Sequence, residues 1–234
     1  MRTVLHLFNF ITIAYLASAC GKDKAEPVGS VAGEVRILNE FGQPVIDRNG
    51  VKISTSTGST QTNSTGQYEL RTSNGTQSIT YEKPYLGTYR LTDKTIQGAV
   101  TQPLITLGTQ PIRGVLSIVI KPGNNAIYVQ GLMGDVTPQG LPPRKHRLFL
   151  HTAPASPQEY TLTTSGETNV SDDQFFDVIT FDQLRAAGLL PGQMIHMRAY
   201  SDNTFADTYT DPMTKRKVYP ALSKSGSNTV TFTY

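Results

Sequence analysis

The chain has 234 residues, a net charge of +3, 38% hydrophobic residues and a single cysteine. Charge so near balance gives no case for a nucleic-acid partner, and one cysteine excludes an internal disulfide. Thr, Ser, Gly, Asn and Pro are abundant while Ala- and Leu-rich helical runs are scarce, a composition that favours strands and turns.

The first 19 residues read as an export signal. Arg2 supplies the positive end, and Val4 to Leu16 form an apolar run too short to span a bilayer as a stable helix. No second apolar run approaches 18 residues, so no membrane-spanning helix is expected. Ala17-Ser18-Ala19 then leads directly into Cys20. This junction resembles the lipobox of bacterial lipoproteins, although Ala17 stands where an aliphatic residue is usual. The resemblance implies that Cys20 is acylated and anchors the mature chain to a membrane. An ordinary cleavage after Ala19, releasing a protein with a free terminal thiol, is the competing expectation. Residues 20–29 form a polar tether reaching at most about 30 Å when extended. Lys22-Asp23 within it resembles the surface-routing signal of Bacteroidetes lipoproteins. The expected location is therefore the cell envelope, lipid-anchored at the outer membrane.

Residues 30–110 are expected to form a first domain. Val31, Gly33, Val35 and Ile37 alternate with Ala32, Glu34 and Arg36, the period of a strand with one buried face. Alternation returns at Val51, Ile53 and Thr55, at Tyr68 and Leu70, and at Ile79 and Tyr81. Phe41-Gly42-Gln43-Pro44, Asn49-Gly50, Asn63-Ser64-Thr65-Gly66 and Asn74-Gly75 supply turns between these runs. Strands at this spacing without helices between them predict an antiparallel sandwich. Gly33-Glu34-Val35, Asn39 to Pro44, Val51-Lys52-Ile53 and Thr65 to Leu70 together resemble the carboxypeptidase regulatory-like domain. Ile79 to Tyr89 is similar to that family's closing strand and corner. Asn63-Ser64 departs from it, as does the absence of a Gly-Ala pair before the second strand. The resemblance implies a seven-stranded, transthyretin-like β-sandwich without catalytic residues of its own, serving as a spacer, platform or contact surface.

Residues 111–234 are expected to form a second, Ig- or fibronectin-like sandwich, so that the fold class is all-β with two tandem antiparallel β-sandwiches. Val115 to Ile120 is apolar at nearly every position and predicts a strand buried on both faces. Ile127 to Leu132 and Arg147 to His151 read as further strands, 134–143 as a loop, and Tyr160 and Leu162 as a short strand. Ser171 to Asp177 reads as a polar loop enclosing Phe175-Phe176. Thr180-Phe181-Asp182-Gln183 has the capping-box form, and Gly188 is placed to end a helix of barely two turns. Gln193 to Tyr200, Tyr219 to Leu222 and Thr229 to Tyr234 supply the last strands, with Val230 and Phe232 on one face.

No catalytic constellation is legible. His146, His151 and His196 have no metal-motif spacing, and no G-x-S-x-G occurs. Asp202, Asp207 and Asp211 crowd one loop, but without the glycine and distal glutamate of a calcium loop. Arg144-Lys145-His146-Arg147 and Lys215-Arg216-Lys217 are basic clusters expected to be solvated. Tyr200, Phe205, Tyr209 and Tyr219 lie in or beside the Asp-rich loop, where exposed rings at one end of a sandwich would stack on sugar faces. These four form the expected binding patch. The expected function is non-enzymatic display of sandwich modules for binding a glycan or an envelope protein, with no cofactor and no metal. The alternatives are a hydrolase using the Asp-rich loop and a structural accessory of an outer-membrane complex.

Overall fold

The computed structural model describes residues 28–169 and 172–234. The export signal, Cys20 and residues 20–27 of the expected tether lie outside the described residues. Among those described, no helix is long and apolar enough to cross a membrane.

The first unit contains β1 (Val28–Leu38), β2 (Lys52–Ser54), β3 (Ser59–Gln61), β4 (Gln67–Ser73), β5 (Gly75–Lys83), β6 (Gly87–Ile96), β7 (Ala99–Thr101) and β8 (Ile105–Gly108). Its first strand begins at Val28, inside the segment expected as tether, because Val28 and Gly29 already pair with Ser73 and Thr72. One sheet runs β4-β1-β7 with β8 also on β1, and the other runs β3-β2-β5-β6. Alternation places Val31, Val35 and Ile37 of β1 and Leu70 of β4 inward. They meet Val51, Ile53, Ile79 and Tyr81 from the opposite sheet in one apolar core. Within that core the hydroxyls of Tyr68 and Tyr81 satisfy each other at 2.7 Å, so two buried polar groups carry no unpaired cost.

The pairings of this unit are antiparallel except for two: β7 and β8 each run parallel to β1, at Ser30↔Ala99 and Val35↔Ile105. The chain leaves β6 in one sheet and crosses to the other before returning along β1. Such a crossover is what a parallel pair requires.

The second unit contains β9 (Val115–Pro122), β10 (Ala126–Met133), β11 (Lys145–His151), β12 (Leu162–Glu167), β13 (Gln174–Thr180), α1 (Phe181–Ala186), β14 (Ile195–Asp202), β15 (Tyr209–Thr210), β16 (Lys217–Val218) and β17 (Val230–Phe232). A three-stranded sheet β13-β10-β9 and a four-stranded sheet β12-β11-β14-β17 share a separate core. That core holds Ile118, Ile127, Val129, Phe175 and Ile179 from the first sheet and Leu148, Leu150, Ile195, Met197 and Phe232 from the second. β15 and β16 form a small hairpin of their own.

The helix forms as its residues dictate. The Thr180 side chain accepts from the Gln183 amide while the Gln183 side chain accepts from the Thr180 amide, Leu184 is buried, and Gly188 follows at φ +83°. Three expectations for this unit are overturned, the first being the strand at Tyr219 to Leu222, where only Leu222 makes an isolated bridge to Asp202. The segment expected as a polar loop up to Asp177 is strand β13 from Gln174 onward, because Phe175 points into the core and Phe176 out in strand alternation. Strand β9 is not buried on both faces: it lies at the edge of its sheet, and Leu116 and Val119 are exposed.

Candidate functional site

The loop expected to form a binding patch takes part in a joint between the two units. Asn203, which follows β14, is buried, and its side-chain amide donates at 3.1 Å to the carbonyls of both Leu38 and Thr109. Asp207 exchanges hydrogen bonds with Thr106 of β8: its amide donates to the Thr106 carbonyl at 2.8 Å, and its carboxylate accepts from the Thr106 amide at 2.7 Å. Arg144 reaches Glu40 at 2.9 Å. Asn203 and Asp207 thereby give their polar groups to the neighbouring sandwich.

The four expected contact residues separate accordingly. Tyr200 is buried and packs edge-on against Phe149, so its ring is core and cannot meet a sugar face. Tyr209 packs edge-on against Tyr89 of β6 at 5.8 Å, as part of the joint. Phe205 lies against Gly42 of the first unit. Tyr219 lies under the Arg147 guanidinium, 3.7 Å from its ring, and beside Phe149 and Tyr160.

The three aspartates of the loop are likewise committed. Asp202 accepts from Arg147 Nε at 2.7 Å, and burial pushes its carboxyl up against the opposing pull of Arg147. Asp211 accepts from the amides of Thr214 and Met213, and these hydrogen bonds hold its carboxyl below the usual range. No group of three metal-ligating side chains occurs among the described residues. His151 and His196 face each other across β11 and β14, and His146 stacks on Phe175 while sharing a 2.5 Å hydrogen bond with Asp177. Each side chain of the first basic cluster has a carboxylate partner: Arg144 with Glu40, Lys145 with Glu167, His146 with Asp177 and Arg147 with Asp202.

An open apolar face lies on the other sheet. The outward rows of β13-β10-β9 are Val119-Gln130-Phe176 and Lys121-Tyr128-Val178, set opposite one another by the strand register. Leu116, Val119, Tyr128, Phe176 and Val178 are each between 51% and 61% exposed. Val119, Tyr128, Phe176 and Val178 border a shallow groove of about 450 Å³ that crosses all three strands. The four-stranded sheet treats its own outer aromatics differently: Phe149 and Tyr200 are covered by Ala155, Tyr160, Tyr219 and Leu222 from flanking loops. Exposed apolar faces on folded chains are characteristic of interaction surfaces. The signal available beforehand was the unbroken apolarity of Val115 to Ile120 together with the adjacent Phe175-Phe176.

Three solved structures resemble the chain along most of its length. A candidate carbohydrate-binding protein from Bacteroides uniformis is 17% identical with a TM-score of 0.36, over 89% of this chain and 100% of that one. DUF3823-family proteins from Bacteroides ovatus and Parabacteroides merdae are 14% and 10% identical, with TM-scores of 0.33 and 0.31. They align over 88% and 85% of this chain and 99% and 98% of their own. No protein-family model and no curated protein matches.

Proposed function

We propose that this is a non-enzymatic binding protein, anchored in the cell envelope through acylated Cys20, that lays the outer face of β13-β10-β9 on a polysaccharide. The observation that carries this reading is the bare sheet face with Tyr128 and Phe176 at its centre. Aromatic rings stack on the apolar faces of sugars, and polar groups must lie close by for the hydroxyls. Here Gln130 stands between the two rings in the register, its amide bonded at 2.9 Å to that of Gln174, and Lys121 lies beside Tyr128. Rings interleaved with amides and an ammonium suit a hydroxylated chain better than the unbroken apolar centre of a permanent protein interface. A groove that crosses an open sheet face admits the interior of a long polymer as well as its end.

The joint serves the same purpose. It fixes the second sandwich on the first, so the contact face keeps one orientation relative to the first sandwich. The test is a glycan array probed with the full chain in detergent. The reading expects polysaccharide hits above background. An array without hits, together with concentration-dependent self-association in light scattering, would replace the polysaccharide by a second copy of the chain.

A further inference from the structure

We propose a second, independent binding site, for a small hydroxylated carboxylate such as a sugar acid, in the polar cleft where β11, β12 and the 203–221 segment meet. The cleft holds about 310 Å³, at the lower end of ligand pockets, which run from about 300 to 1,000 Å³. Arg147, Ser165, Thr204, Thr208, Lys217 and Tyr219 line it.

Arg147 is built for an anion at this position. Its Nε donates to the buried Asp202, which fixes the side chain, and its guanidinium lies over the Tyr219 ring at 3.7 Å. The two terminal nitrogens make no hydrogen bond to any described residue, so the outer fork of the guanidinium is free to grip a carboxylate through two parallel bonds. Lys217 adds a second cation: its ammonium lies 5.7 Å from the Tyr219 ring and has no carboxylate within ion-pair distance among the described residues. Asp202 is the one carboxylate at the cleft, and it is buried behind Arg147. Two cations against one sequestered carboxylate leave the cleft positive.

The remaining lining chooses among anions. The hydroxyls of Ser165, Thr204 and Thr208 form no side-chain hydrogen bond with any described residue, although the same loop spends Asn203 and Asp207 on the joint. Three unengaged hydroxyls around a guanidinium fork complement a ligand that carries both a carboxylate and several hydroxyl groups.

Calorimetric titration of the full chain in detergent with glucuronate, glucose and acetate tests this. Glucuronate is expected to bind at least about tenfold more tightly than either of the others. Lys217→Gln, at an exposed position, and Arg147→Lys, which keeps a cation beside Asp202, should each weaken glucuronate about tenfold. Tyr128→Ala, on the distant sheet face, should leave it unchanged. Glucose or acetate binding as tightly as glucuronate, no binding at all, full affinity in Lys217→Gln, or a loss in Tyr128→Ala would each overturn the proposal.

Discussion

The side-chain amide of Asn203, in the second sandwich, holds the main-chain carbonyl of Leu38 in the first, and the same amide nitrogen reaches the Thr109 carbonyl. The Leu38 carbonyl also accepts from the Thr109 amide at 2.9 Å, so it is the Thr109 carbonyl that relies on this side chain across the joint. Asn203→Ala removes both bonds and leaves the Thr109 carbonyl without that donor, at a cost of about 2 kcal/mol. Denaturant unfolding should show a lower midpoint and a separation of the two sandwiches into distinct transitions. A single transition at the wild-type midpoint would mean that the joint contributes little.

The joint also depends on a close backbone approach. Gly87 has φ +77°, and a Cβ there would stand 2.0 Å from the Pro220 carbonyl oxygen. Gly98 has φ +66° with nothing within 4 Å of the same position. Gly98→Ala should therefore cost only the left-handed strain, about 1 kcal/mol, whereas Gly87→Ala adds a clash across the joint. Thermal unfolding of the two variants separates these contributions, and equal losses would contradict so tight a contact.

High pH should weaken the fold through its buried and half-buried tyrosines. Burial, with Tyr219 close by, pushes the Tyr160 hydroxyl from 10.0 up to about 12, and burial raises Tyr68 and Tyr81 as well. An unfolded tyrosine loses its proton near pH 10.0 while folded Tyr160 keeps it, so this stability is complete below pH 10.0 and is lost as pH rises towards about 12. Urea midpoints should be flat from neutral pH to about 10 and fall above it, and Tyr160→Phe should remove part of the fall. A midpoint independent of alkaline pH would contradict the burial of these hydroxyls.

Local regularities made most of the fold readable. Alternation at Val31 to Ile37 and at Tyr68 and Leu70 located β1 and β4, and the Thr180–Gln183 capping box located the helix. The parallel pairing of β7 and β8 with β1 was hidden, because it joins residues about seventy positions apart and leaves no local mark. The surroundings of the expected patch were hidden for the same reason. Tyr200 and Tyr209 have the composition of an exposed patch, but their neighbours, Phe149 and Tyr89, come from distant strands. Apolarity on both faces of β9 was correctly seen and wrongly explained: periodicity reports which positions are apolar and not what covers them.

The anchor is testable without any ligand. Acyl chains on Cys20 contribute about 0.8 kcal/mol for each buried CH₂, so the native chain should sediment with membranes and Cys20→Ser should stay in the supernatant. A Cys20→Ser chain that remains membrane-bound would refute the lipid anchor.

Retention of the full chain on an immobilised polysaccharide identified by the array, compared with that of Tyr128→Ala/Phe176→Ala, probes the contact face most directly. Both side chains point outward, so the double variant should fold with an unchanged unfolding midpoint and lose retention by at least about a hundredfold, as expected when two stacking rings are removed. Undiminished retention of a folded double variant would contradict the assignment of the β13-β10-β9 face as the place where this protein meets its ligand.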